Sequence, residues 1–252
     1  MRNLLLNAAA LALLATPGVA NAGGGYIDAY GGNDEITLAG PTADSSMWGA
    51  DGVFGFSNGQ VGAHYASFDE GNTDDMWEVD GHLFMRNESW QLGAGVAYDD
   101  FNGGDFTEWA VAAEGLWFLD RATLGASATY STSDEFGAEA DFWGLDAEAR
   151  YFATDNFSVG VTAGWGNFDI GIADDDMTTY GANAEWKFGD APVSLFAGYS
   201  HSEVNIFLDP FETQAWALGA RWNFGGQSLI ERDRNGPNLR APAGGVSRLF
   251  GL

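Results

Sequence analysis

Six aromatic residues, Trp48, Trp77, Trp109, Trp143, Tyr180 and Trp216, recur at intervals of 29 to 37 residues. Each opens a segment in which apolar and small or polar side chains alternate. A period of two places alternate side chains on opposite faces of a strand, and the longer spacing accommodates one β-hairpin per repeat. Up-and-down hairpins repeated in this way close into a barrel, and the apolar face must then meet lipid. From Trp109 that face reads Trp109, Val111, Ala113, Gly115, Trp117, Leu119, while the opposite face reads Glu108, Ala110, Ala112, Glu114, Leu116, Phe118. At ~3.3 Å per residue and a tilt of roughly 40°, Trp109 and Trp117 stand about 20 Å apart across the membrane, close to the apolar band of an outer-membrane barrel. Trp48, Trp77, Trp109, Trp117, Trp143, Trp165, Tyr180, Trp186, Trp216 and Trp222 are therefore expected to form two interfacial girdles.

The two ends of the chain read differently from its middle. Arg2, an apolar stretch from Leu4 to Val19, and Ala20-Asn21-Ala22 before Gly23 have the layout of a secretory signal peptide, residues 1–22. No other stretch is apolar enough for a spanning helix, so membrane insertion has to use strands. The mean hydropathy of −0.14 agrees with this, since a barrel shows only alternate residues to lipid. Cysteine is absent, which excludes disulfides, metal-thiolate sites and thiol nucleophiles. Without Arg2, nine Lys and Arg face 36 Asp and Glu, a net charge of −27 that repels nucleic acid. Residues 23–225 are expected to form one barrel domain, because a barrel cannot be divided without exposing strand edges.

Turn-forming residues divide the connections into two classes. Short ones fall at Ser57-Asn58-Gly59, Asn87-Glu88-Ser89, Asp120-Arg121, Thr154-Asp155-Asn156 and Asp190-Ala191-Pro192. Long ones run from Asp69 to Asp75, Asp99 to Asp105, Ser133 to Asp141, Asp169 to Asp176 and Asn205 to Glu212. Outer-membrane barrels keep short turns in the periplasm and long loops outside, so the strand at Trp48 runs inward. One outward strand must precede it, at Tyr26-Ile27-Asp28-Ala29-Tyr30, which brings the expected count to twelve antiparallel strands with periplasmic termini; losing the first pair would leave ten. Charge agrees with this polarity. Arg86, Arg121, Arg150, Lys187 and Arg221 lie near short turns, whereas the long connections hold Asp74-Asp75, Asp134-Glu135 and Asp174-Asp175-Asp176.

The last strong strand contains Gly219-Ala220-Arg221-Trp222-Asn223-Phe224, a glycine followed by spaced aromatics. This resembles the terminal strand signal read by the barrel assembly machinery. With the leader, girdles and connection asymmetry, the chain resembles outer-membrane porin-type barrels of Gram-negative bacteria, of the kind found in alphaproteobacteria. The resemblance implies an integral outer-membrane protein that contacts lipid and lipopolysaccharide and passes small hydrophilic solutes by diffusion. Monomer and homo-oligomer are both compatible with it. In that family the signal ends the chain, whereas here residues 226–252 follow, with Arg232, Arg234, Arg240 and Arg248. Their glycine and proline content reads as a non-regular periplasmic tail, and entry into the acidic lumen as a plug is the sharper alternative.

The lumen face divides by strand direction. Outward-running strands contribute small groups, as in Ser158, Gly160, Thr162, Gly164 or Thr123, Gly125, Ser127, Thr129. Inward-running strands contribute Asp51; Glu78, Asp80, His82 and Arg86; Glu108 and Glu114; Asp146, Glu148 and Arg150; Glu185 and Lys187; and Arg221. Two outcomes compete. In a cation-preferring porin, an acidic vestibule leads to a constriction set by Arg86, Arg150, Lys187 and Arg221. In a structural or adhesive barrel these groups neutralise the carboxylates, the lumen closes as a salt-bridge network, and acidic extracellular loops do the binding.

Enzymatic readings find little support. His201, Ser202 and Glu203 lie at a rim, but adjacent strand residues point to opposite faces, so His201 and Ser202 cannot pair. His64 and His82 face the lumen without a second close histidine, and read as hydrogen-bonded lining, not a metal site. Glu78/Asp80 and Asp146/Glu148 read as solvated lumen charge instead of an acid–base pair. Asp174-Asp175-Asp176 lacks a full calcium-loop pattern. The expectation is a non-enzymatic barrel without metal or cofactor.

Overall fold

The computed structural model describes residues 24–38, 40–69, 74–101, 106–135, 138–169, 174–206, 209–225 and 228–249. The signal peptide expected over residues 1–22 lies outside the described residues, as do the side chains of Asp134 and Glu135. Twelve strands follow one another: β1 (Gly25–Leu38), β2 (Thr42–Phe56), β3 (Gly59–Asp69), β4 (Asp74–Arg86), β5 (Trp90–Phe101), β6 (Phe106–Phe118), β7 (Ala122–Glu135), β8 (Ala138–Thr154), β9 (Phe157–Asp169), β10 (Asp174–Lys187), β11 (Val193–Ile206) and β12 (Asp209–Phe224). Each pairs antiparallel with its sequence neighbours, and β1 pairs with β12 from Gly25↔Phe224 to Leu38↔Phe211. Closure leaves no strand edge, so the strand backbones across the membrane bond to one another within the sheet. The first strand, legible in sequence only at Tyr26–Tyr30, is 14 residues long.

The period of two sorts side chains as the sequence indicates. Trp109, Val111, Trp117 and Leu119 are exposed on the outer face, and Glu108, Ala110, Ala112 and Leu116 are buried on the inner one. The upper girdle is more complete than the expected residues alone. Every strand from β2 to β12 places an aromatic at this height: Trp48, Tyr65, Trp77, Tyr98, Trp109, Tyr130, Trp143, Trp165, Tyr180, Tyr199 and Trp216. Neighbours touch across strands, Trp48 on Tyr65 at 5.1 Å, Tyr98 on Trp109 at 4.6 Å and Trp143 on Trp165 at 4.9 Å between ring centroids. Such rings prefer the membrane–water interface, where an apolar body and a polar edge are both solvated. Trp117, Trp186 and Trp222 are exposed at the short-turn end and mark the second girdle.

Two sequence expectations change. None of the five connections expected to be long leaves more than four residues between its strands: β3 ends at Asp69 and β4 begins at Asp74, and the other four hairpins pair out to Phe101↔Phe106, Glu135↔Ala138, Asp169↔Asp174 and Ile206↔Asp209. Beyond the girdle neither face meets lipid, so apolar alternation stops, while backbone pairing needs no side-chain pattern and continues. The tail is non-regular only in part, over residues 236–244, and its described residues are not directed away from the barrel. It forms α1 (Leu229–Asn235) and α2 (Gly245–Leu249), and it lies inside the barrel. Ser228 and Glu231 form a reciprocal capping box at the start of α1, with the Ser228 N–H donating to Glu231 Oε2 at 3.0 Å and the Glu231 N–H to Ser228 Oγ at 3.3 Å.

The lipid-facing assignment predicts a depth-dependent penalty for charge. Val161 sits near the middle of β9 on the outer face, 58% exposed. Val161→Arg should lower folding stability by about 2–4 kcal/mol in denaturant titrations of the barrel in lipid vesicles, and Val161→Leu should leave it nearly unchanged.

Candidate functional site: the lumen and its occupant

The tail climbs the lumen from one mouth towards the other. At the short-turn mouth α1 bridges the neighbouring β6–β7 and β8–β9 turns: the Ile230 N–H donates to Asp155 O at 3.2 Å, and Arg234 donates to Leu119 O and Ala122 O at 2.6 and 3.0 Å. Above it, Gln60 on β3 binds the tail backbone from both sides of its amide, donating to Leu239 O at 2.8 Å and accepting from the Asn238 N–H at 3.1 Å. Arg86 on β4 donates to Gly236 O at 2.8 Å and Asn238 Oδ1 at 3.2 Å. At the far end, Ser247 Oγ lies within hydrogen-bond distance of Asp99 Oδ2 at 3.0 Å and Glu108 Oε2 at 3.1 Å, and Ser202 Oγ on β11 donates to Arg248 O at 2.6 Å. These wall residues come from strands all round the barrel, so the segment occupies the bore and does not lie on one side of it.

Charge holds it there. Arg232 reaches Glu185 with both amino groups, at 2.8 and 2.5 Å; Arg240 reaches Glu148 at 3.3 Å; and Arg248 grips both oxygens of Asp146. The exchange also runs the other way: the tail's Asp233 takes an ion pair from Arg150 and a hydrogen bond from Thr123 Oγ1 at 2.5 Å. Arg–carboxylate pairs of this kind are charge-assisted and geometrically specific. Apolar contact is secondary: Leu239 packs with Phe84 and Leu116 on the wall. Backbone crowding matters before α2, since a Cβ on Gly244 would collide with the Glu108 carboxylate and one on Gly245 with the Phe168 ring.

The expected lumen residues all face inward, but the basic ones do not ring an open hole. Arg221 lies over the Tyr26 ring at 3.9 Å, donates to Asp28 Oδ2 at 2.7 and 2.5 Å, and pairs with Glu185 at 3.1 Å. Arg150 pairs with Glu148 at 3.1 Å as well as with Asp233. Lys187 turns to the carbonyl of Gly189 at 2.7 Å and so secures the β10–β11 turn. Asp28, Gln60, Thr123 and Asn223 belong to the same network and carry no distinguishing sequence motif; Asn223 accepts from Arg232 at 2.5 Å. Their shared signal is their place on the inward parity.

On the opposite wall, carboxylates and imidazoles alternate across four strands. His64 Nδ1 is 3.1 Å from Asp51 and its Nε2 3.1 Å from Asp80; His82 Nε2 is 2.8 Å from Asp80 and its Nδ1 2.8 Å from Glu114. A cavity of ≈ 570 Å³ remains beside the tail, lined by Asp51, His64, Glu78, Asp80, Glu114 and Arg240 among others. His201 is on the outer face, stacked on Tyr180 at 4.6 Å, and Ser202 is on the inner face, so the two do not pair.

No family model and no curated protein matches this chain. Solved structures do. The COG4313 outer membrane channel from Pseudomonas putida F1 superposes at a TM-score of 0.61 with 13% identity, over 80% of this chain and 96% of that one. The NanC porin gives 0.58 with 9% identity over 78% and 98%, and the KdgM porin, solved with disordered oligogalacturonate, 0.54 with 11% identity over 79% and 99%. The chain thus has the fold of outer-membrane porins and channels, with a closed barrel of twelve strands.

If ion pairs seat the tail, breaking one should loosen it. Ser247 is fully buried and the chain has no cysteine, so Ser247→Cys provides a clean reporter. It should resist maleimide labelling in the folded barrel, and adding Asp146→Asn, which strands Arg248, should raise the labelling rate about tenfold or more.

Proposed function

We propose that this protein is an outer-membrane channel for small hydrophilic solutes, favouring cations, whose through-path is governed by its own C-terminal segment. One observation carries the reading: the segment is bound to its surroundings mainly through ion pairs and hydrogen bonds. A hydrocarbon core cemented shut gains nothing from water, whereas charged walls are readily hydrated once the segment moves. Removing Arg232, Arg240 and Arg248 from the bore would leave Asp146, Glu148 and Glu185 facing water, which supports a cation preference. In this reading the short turns face the periplasm, the tail enters from that side, and the acidic strand ends face outward against lipopolysaccharide.

A second reading takes the filled lumen at face value: the barrel is structural and its acidic rim does the binding. Planar-bilayer recording separates the two. Full-length protein should show small, infrequent steps with voltage-driven transitions to larger ones, and a chain ending at Gly225 should show large, sustained steps. The shortened barrel should prefer K⁺ to Cl⁻, and Asp146→Asn with Glu148→Gln in it should move the reversal potential towards zero. A full-length protein that stays silent at every voltage while the shortened one conducts supports the closed barrel; a shortened barrel without discrete steps refutes the channel.

A further inference from the structure

His64, Glu78 and Asp80 each turn one ligand-type atom to a common point on the lumen wall, and these three atoms lie within 4.8 Å of one another. We propose that this is a binding site for a first-row divalent cation such as Zn²⁺, with His64 Nε2, Glu78 Oε1 and Asp80 Oδ2 as ligands. It goes beyond the channel reading and does not depend on it, since the ion reaches the site from the cavity whether or not the barrel conducts.

Four observations support the assignment. Glu78 is 4% exposed, yet its Oε1 has no hydrogen-bond partner among the described residues and faces His64 Nε2 across 3.9 Å. That gap is too long for a hydrogen bond and suits two ligands of one ion. Second, Asp51 Oδ1 is 3.1 Å from His64 Nδ1. An Nδ1–H donated there turns Nε2 towards Asp80 Oδ2, 3.1 Å away, and Glu78, so that an ion replacing the Nε2 proton meets the outer-shell arrangement typical of metal-bound histidine. Third, the arginine ion pairs inside the barrel fall on Asp28, Asp146, Glu148, Glu185 and Asp233, and among the described residues none reaches Asp51, Glu78, Asp80 or Glu114. These four carboxylates share two imidazoles, so even with His64 and His82 both protonated the cluster keeps excess negative charge in a poorly hydrated place. Fourth, a Cβ on Gly62 would collide with the Asp80 carboxylate and come within 2.8 Å of His64 Nε2, so only glycine permits the two ligands to converge. One imidazole with carboxylates favours Zn²⁺ and its neighbours over Mg²⁺ or Ca²⁺.

The test is calorimetric titration of the full-length barrel in detergent micelles with Zn²⁺, with Mg²⁺ as the comparison. One saturable Zn²⁺ equivalent is expected, with no matching Mg²⁺ event. His64→Ala and Glu78→Gln should each remove that event, Asp51→Asn should weaken it by about 10–100-fold, and His201→Ala, on the outer face, should leave it intact. Heat-modifiable gel migration confirms that each variant is folded. Failure of the unaltered protein to bind Zn²⁺ stoichiometrically overturns the proposal, as does undiminished binding by folded His64→Ala or Glu78→Gln.

Discussion

Hydrocarbon offers a peptide group nothing to bond to, and that prohibition shapes everything else in this molecule. A chain that crosses lipid with strands must pair its first with its last, and β1 and β12 do so over their whole shared length. Closure creates an inside. Once the outer parity is committed to valine, leucine and tryptophan, all the charge on the strands has to go to the inner parity, where it must be hydrated or matched. The inward carboxylates of β8 and β10 are matched by arginines, several of them from the chain's own end.

The two sides of the lumen meet this requirement differently. Guanidinium groups from the tail answer Asp146 and Glu185 with planar, doubly bonded pairs and Glu148 with a single contact. Across β2, β3, β4 and β6, Asp51, Asp80 and Glu114 are bridged by imidazoles, and the residual cavity lies against them. An acidic wall matched by a detachable segment on one side and by titratable or metal-accepting groups on the other combines a movable part with a place for a cation.

The membrane-facing half of the structure was largely legible in the sequence, and the lumen was not. Alternation and the recurrence of Trp48, Trp77, Trp109, Trp143, Tyr180 and Trp216 reveal the strands because lipid enforces a strict pattern on one parity. Tyr65, Tyr98 and Tyr130 complete the girdle, but no tryptophan stands at that height on their strands. Beyond the girdle the pattern lapses and strand extensions look like loops. The tail was readable in part: Ser228-Leu229-Ile230-Glu231 is a capping-box signature, and basic residues concentrated at the end of an acidic chain point to an acidic partner. Its route past Gln60, Glu185 and Asp146, and the meeting of His64 with Glu78 and Asp80, depend on register across strands far apart in sequence, which no local motif encodes.

The claim on which the account turns is that the C-terminal segment resides within the bore, and trypsin tests it directly. Apart from Arg2, lysine and arginine occur only on the strands, at Arg121 in a short turn, and in the tail at Arg232, Arg234, Arg240 and Arg248. Intact mass spectrometry of the folded barrel after digestion in vesicles permeable to the protease should find the chain complete through Leu252 or cut only at Arg121. Rapid loss of everything beyond Arg232 or Arg234 from an otherwise folded barrel would contradict it.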